Sequence, residues 1–302
     1  ALEVDSLSFY ILNNIAGFYR EELNYDKAIY YYNKALSVNP NNAYIYNNLS
    51  KIYFDLNNHQ DAKKNSMKAL EMKGDDGDIL KTLSFIYLKD HEFKKGWEYF
   101  EGRLNLDNSL YKSDYVQKLN KKLYKSNIIN NKKDKFLIVR EQGIGDEILY
   151  SSMYGELLED VENAVIECDA RLLSLFKRSF PKYSKKFVAL GNITNDDEKY
   201  NQIDYVLYAG SLGRYYRKDY NDFKKGSFLR IDEKKFKNIQ TELTKFKKKY
   251  KIGISWKSFN NRYAIDKSLS LNDFSNIFNL NYCDVINLQY GDVNEEIKNF
   301  NN

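Results

Sequence analysis

Small and aromatic residues return at a fixed interval along the first hundred positions. Ala16, Ser50 and Ser84 are spaced 34 residues apart, and Tyr19, Tyr53 and Tyr87 keep the same step. So do Ala28, Ala62 and Gly96, while a fourth series runs Ala35, Ala69 and then breaks at Arg103. Pro40 and Gly74 stand at matching places near the end of the first and second units. The pattern predicts pairs of helices that cross where the small residues lie, each pair burying its apolar face only against a neighbour. A final helix over Ser113–Tyr124, carrying Tyr115, Leu119 and Leu123, is expected to cap the stack. Beyond the polar connection Tyr124–Lys135 the pattern changes to short apolar runs separated by single helices. Strands are expected at 136–140, 164–168, 187–190, 205–208 and 228–231, with helices over 146–159 and 171–180. A long helix, Glu233–Tyr250, follows with Phe236, Ile239, Leu243, Phe246 and Tyr250 on one stripe predicted to be buried. Strands 251–256 and 285–288 flank a further helix from about Asn272. The chain is therefore expected to be α followed by α/β, with parallel strands joined through helices.

A step of 34 residues, with small residues at the crossings, is the tetratricopeptide signature. It assigns residues 1–125 to a solenoid whose first helices line a concave groove. Asn13, Asn47, Asn48 and Lys51 lie on those helices and are candidates for contacting the backbone of an extended peptide or protein partner. The plainer alternative is that the repeats brace the domain that follows.

Chemistry concentrates at Glu141-Gln-Gly-Ile-Gly-Asp146, where the strand 136–140 passes into a helix. Gly143 and Gly145 lack a Cβ and let a ligand approach the backbone closely. The helix that follows presents free N–H groups and the positive end of its dipole. Glu141 and Asp146 add two carboxylates, either a candidate general base. Asp146 also suits a simple capping role. Ligands of such sheets bind beyond the carboxyl ends of strands, where this turn lies.

Composition narrows the choice. Hydrophobic residues make up 43% and charged residues 29% of 302, which is the balance of a globular protein. No stretch approaches the roughly 18 apolar residues of a membrane span, and no signal peptide is expected. Cys168 and Cys283 lie in separate apolar runs and read as buried thiols, which suits a reducing cytoplasm. With only His59 and His91, a histidine metal site or a Ser-His-Asp triad is not expected, and no metal ligand is assigned. The net charge of +5 is modest, and Lys247, Lys248 and Lys249 read as the wet face of a helix, so no nucleic-acid partner is expected.

Four segments carry a family resemblance: Gly96-Trp-Glu-Tyr-Phe-Glu-Gly-Arg103, Glu141–Asp146, Ile252-Gly-Ile-Ser-Trp256, and Asp266-Lys-Ser-Leu-Ser-Leu271 leading to Leu288-Gln-Tyr-Gly-Asp292. In order and spacing the chain resembles bacterial tetratricopeptide-repeat glycosyltransferases whose catalytic region is similar to the lipopolysaccharide heptosyltransferases. The resemblance implies two Rossmann-like domains in a GT-B arrangement: 126–231 on the acceptor side and 232–302 as part of a donor-side domain. In the family that second domain runs on for roughly another hundred residues. It implies a nucleotide-sugar donor as substrate, no separate cofactor and no required metal. Asp146 matches the catalytic aspartate, Lys267 the phosphate-binding lysine, and Gly291 and Glu296 a donor-loop Gly and Glu, with Lys257 as helper. The acceptor is expected to be a protein or glycan recruited by the groove. A non-catalytic adaptor that binds a protein partner is the alternative.

Overall fold

The first three helix pairs follow directly from the repeat. In the computed structural model, which describes residues 2–105, 122–124, 126, 128–129, 133–189, 202–258 and 268–300, they are α1 (Leu2–Glu21) with α2 (Tyr25–Val38), α3 (Ala43–Asp55) with α4 (His59–Lys73), and α5 (Gly77–Lys89) with α6 (Phe93–Phe100). Ala16, Ala28, Ala35, Ser50, Ala62, Ala69 and Ser84 are all fully buried, as their spacing requires. A Cβ on Gly96 would meet Leu88, so the glycine lets α6 close on α5. Asn24, Asn42, Asn58 and Asp76 cap the helices that follow them by accepting from backbone N–H groups. The turns between paired helices use left-handed Leu23, Asn57 and His91, at φ of 55°, 57° and 63°.

The chain divides into two units, 1–230 and 231–302. The first unit continues from α6 through a 3-10 turn, Glu101–Asn105, into a five-stranded parallel sheet. Its strands are β1 (Lys122–Leu123), β2 (Lys135–Val139), β3 (Asn163–Cys168), β4 (Phe187–Ala189) and β5 (Tyr205–Tyr208), in the spatial order β1-β5-β2-β3-β4. Between them lie α7 (Ile144–Ser151), α8 (Tyr154–Asp160) and α9 (Ala170–Ser179), and α10 (Gly213–Tyr216) follows β5. Alternate residues of β2 serve two cores: Phe136 and Ile138 pack with Tyr150, Leu157, Leu172 and Phe176 of the helices. Leu137 and Val139 pack with Val206, Tyr208 and Leu104, the last coming from the end of the repeats.

Several expected elements differ. Of the capping helix, residues 113–121 lie outside the described residues, and Lys122–Leu123 form a strand beside Tyr205 and Val206. The helix expected over 146–159 starts at Ile144 and is interrupted at Ser152–Met153. Residues 228–231 are not a strand. Arg230 instead receives a hydrogen bond at its carbonyl from Arg178 Nε, 2.7 Å, and donates its N–H to Ser179 Oγ, 2.9 Å.

The second unit has α11 (Glu233–Leu243), β6 (Tyr250–Ile254), α12 (Ser275–Phe278), β7 (Cys283–Asn287) and α13 (Asn294–Phe300). β6 and β7 pair in parallel, over a core of Ile254, Trp256, Leu271 and Val293. The helix from Glu233 ends at Leu243 rather than Tyr250. Asp284 Oδ2 accepts from Lys248 N–H and Tyr282 O from Tyr250 N–H, which draws this stretch out of the helix and into β6. The expected buried stripe is also absent: Phe236 and Ile239 are 41% and 55% exposed.

Candidate functional site

On the inner face of the array, α1, α3 and α5 enclose a cavity of about 460 Å³ lined by Arg20, Lys51, Phe54, Asp55, Asp78, Lys81, Thr82 and Phe85. Asp78 organises it: Lys51 Nζ lies 2.6 Å and Asn47 Nδ2 2.7 Å from its Oδ2. Asn48 Oδ1 accepts from Arg20 at 3.2 Å. Asn47 is buried and Asn13 is partly exposed on α1, outside this lining. Three of the four expected groove residues are thus in or beside one cavity, Asn47 and Lys51 held by Asp78 and Asn48 by Arg20. Lys81 and Phe85 were not among them, yet each stands 34 residues after an expected one, Asn47 and Lys51. Extending the repeat by one unit would have found both.

The glycine turn lies at the carboxyl end of β2, the middle strand. The neighbours of β2 are β3 on one side and β5 on the other, so the chain winds outward in both directions from here. That is the switch point at which open parallel sheets leave a crevice. Here the crevice is filled. Arg103, entirely buried, donates from Nε to Glu141 Oε2 at 2.9 Å and from a terminal nitrogen to Oε1 at 2.7 Å. It also reaches Ser211 Oγ at 3.0 Å, the Phe100 carbonyl at 2.9 Å and Glu101 at 3.0 Å. The Gly210 N–H closes the remaining side of Glu141. Burial opposes the charge on Arg103, but the Glu141 carboxylate and its hydrogen bonds, with Glu101, outweigh it and keep the guanidinium firmly protonated. Glu141, expected as one of two candidate bases, is therefore sealed from solvent, with both oxygens engaged.

The exposed part of the turn is the remainder. Gln142 takes φ of 62°, so the left-handed residue is Gln142 and neither glycine. A Cβ on Gly145 would meet nothing within 4 Å, and one on Gly143 only Asp146 Oδ2 at 3.5 Å. Asp146 Oδ2 accepts from the Gly143 N–H at 3.1 Å, tying the first turn of α7 back to its N-cap residue. Behind the turn, Arg140 pairs with Glu147 at 2.6 Å, and Glu147 accepts from the Asp169 N–H at 2.8 Å. The Arg171 guanidinium holds the Asp169 carboxyl well below the usual carboxylate range.

In the second unit, a cavity of about 680 Å³ is lined by Lys257, Ser270, Asn272, Asp292, Glu295, Glu296 and Asn299. It lies past the carboxyl end of β6, where Lys257 follows Trp256. Glu296 accepts from Trp256 Nε1 at 2.8 Å and pairs with the Lys257 ammonium, which holds its carboxyl below the ordinary value. Gln289 ties the two strand ends together, its Oε1 accepting from the N–H groups of Trp256 and Lys257 at 2.8 and 2.9 Å. Gly291 adopts φ of 84°, a conformation other residues rarely take. Lys257 and Glu296 are thus brought together at this cavity. Lys267 lies outside the described residues. Among the described residues no helix is long and apolar enough to cross a membrane, and both cysteines are buried free thiols.

The tetratricopeptide repeat family matches residues 7–74, and the N-terminal region is a tetratricopeptide repeat domain. Protein FlbA of Caulobacter vibrioides is 25% identical over 177 residues, a match that covers 54% of this chain and 29% of that protein. The chain spans less than a third of that relative's length. Solved structures similar to the repeats include the first TPR of Spaghetti (RPAP3) bound to the HSP90 peptide SRMEEVD, 19% identical with a TM-score of 0.33 over 37% of this chain and 90% of that one. The TPR2B domain of yeast Sti1 in a pHsp70 complex is 14% identical, with a TM-score of 0.33 over 37% and 92%. MamA protein is 23% identical, with a TM-score of 0.31 over 36% and 60%.

Proposed function

We propose that the chain recruits a polypeptide through its repeat groove and carries the catalytic region of a metal-independent glycosyltransferase of the GT-B type. An acceptor hydroxyl gives its proton to Asp146. Its oxygen forms the new bond to the anomeric carbon of a nucleotide sugar, while the bond to the diphosphate breaks and the diphosphate leaves with the electron pair. The negative charge that develops on the leaving group is met by lysine and by helix N-termini. Lys257, with Lys267 and the Gly291–Glu296 segment, serves that end. Gly143 and Gly145 admit the substrate to the start of α7. The setting is a reducing cytoplasm.

The observation that carries this reading is at the turn. Neither Gly143 nor Gly145 has a left-handed backbone, and neither is crowded by a neighbour, so the fold does not require glycine at either place. Glycines at an exposed helix start beyond the central strand are accounted for by the close approach of something else. The groove supports recruitment: Phe54 and Phe85 offer apolar surface beside Arg20 and Lys81, while Asp78 holds Lys51, and the Arg20 and Lys81 cations fit an extended segment with an apolar residue next to an acidic one. Calorimetric titration of the chain with a panel of nucleotide sugars tests the enzymatic half. Heat with at least one donor, reduced by Lys257→Met, is the expected result.

One observation favours a second reading. The crevice at the switch point is occupied by Arg103 and Glu141, so the sheet is fastened to the repeats at the place where such sheets ordinarily hold ligands. A non-catalytic adaptor, with the sheet as a docking platform, has that construction. Absence of heat with every donor selects it.

A further inference from the structure

The repeat series Ala35, Ala69 fails at Arg103, and that failure has a purpose in the fold. Arg103 leaves the period, turns away from the array and inserts its guanidinium between the ends of β2 and β5. We infer that Arg103 is the positioning residue of the glycine turn: it sets the conformation of residues 141–146 from the repeat domain. The functional half of this inference rests on the transfer reading above.

The argument runs through Glu141. Three N–H donors converge on it, two from Arg103 and one from Gly210, and the fork of Arg103 engages both carboxylate oxygens. The next residue, Gln142, sits at φ of 62°, a conformation that is uncommon for a side-chain-bearing residue. On the far side, Asp146 fixes the Gly143 N–H. The left-handed residue is thus stapled between two carboxylates, one of them held by the repeats. The surrounding packing is built for this insertion. A Cβ on Gly210 would run into Glu141, Phe100 and Arg103, and a Cβ on Gly213 would run into the Trp97 ring. Glu101 bridges Arg103 and Arg214, at 3.0 and 3.1 Å. Phe100 lies under the guanidinium, 4.2 Å from ring centre to Cζ. Every side chain named here from 97 to 103 belongs to the last helix of the array or its terminal turn.

Hydrogen exchange of the whole chain tests it, read at the amides of Gly143, Glu147 and Gly210. Arg103→Met removes the cation and the fork, and those amides are expected to exchange at least about tenfold faster, while amides within α3 and α4 keep their rates. Arg103→Lys keeps the charge but not the fork, and is expected to accelerate the same amides. Arg103→Met combined with Glu141→Gln leaves neither partner of this pair charged and unpaired, so it is expected to stay folded even if the single change collapses the unit. It is expected to show fast turn exchange in a folded background. Wild-type exchange at the turn in whichever of these variants folds overturns the inference. Nucleoside diphosphate release separates it from the transfer reading. If the wild type binds and cleaves a donor, Arg103→Lys lowers release about tenfold while donor heat persists. If the wild type binds no donor, the transfer reading falls and the exchange result still decides the inference.

Discussion

Glu167 lies on β3, 1% exposed, beside the backbone of Arg140. Burial pushes its carboxyl from 4.5 up to about 7. Across that window the folded chain holds a proton that the unfolded chain has released. The contribution of this group to stability is therefore fully present below about 4.5 and is lost as pH rises through about 7. Glu167→Gln is expected to remove about 1–3 kcal/mol of this pH dependence between pH 5 and 8, read from urea midpoints. An unchanged slope would place the proton elsewhere. At Asp146 the expected structural effect is small. Asparagine still offers an oxygen to the Gly143 N–H, so Asp146→Asn should shift stability by less than about 1 kcal/mol in thermal unfolding. What the sequence reveals at this scale is residue type but not pairing. Glu141 and Asp146 are visible as adjacent carboxylates. That one is sealed depends on Arg103 and Ser211, whose contacts span 38 and 108 positions. The one available signal was the broken small-residue series at Arg103.

Among elements, those with a strong period were legible. The helix pairs follow from the 34-residue step, and four of the five expected strands before residue 230 form within a residue or two. The failures share a cause, which is competition from distant partners. Residues 228–231 have the composition of a strand, but Ser179 and Arg178 on α9 take up the backbone of Arg230. Residues after Leu243 continue a helical stripe, but Asp284 and Tyr282 recruit them to β6. The glycines separate into two kinds on the same grounds. Gly145→Ala meets open space and should leave the melting temperature nearly unchanged. Gly210→Ala drives a methyl into the Glu141–Arg103 pair and should cost about 1–3 kcal/mol. Equal effects of the two substitutions in calorimetric unfolding would contradict this assignment.

For the molecule as a whole, two arrangements coexist in the unit 1–230: a solenoid with an open inner face and a parallel sheet fastened to its end. Because the groove is formed by α1, α3 and α5 and the fastening by residues 97–103, recruitment and transfer are separable by mutation. Selection of a random peptide library on the intact chain is expected to return binders with an acidic residue next to an apolar one. Lys81→Glu should weaken them by at least about tenfold without changing donor heat. The array was readable from periodicity alone, and the resemblance implied roles for Asp146 and Lys267, but the filled switch-point crevice was not foreseeable from either. The most direct test of the account measures nucleoside diphosphate released from a panel of nucleotide sugars, with a hydroxyl-bearing peptide selected on the groove, or water, taking the sugar, by the intact chain and by Asp146→Asn. The account predicts release from at least one donor, reduced about a hundredfold or more in the variant. Release from none, or equal release from both proteins, would contradict it.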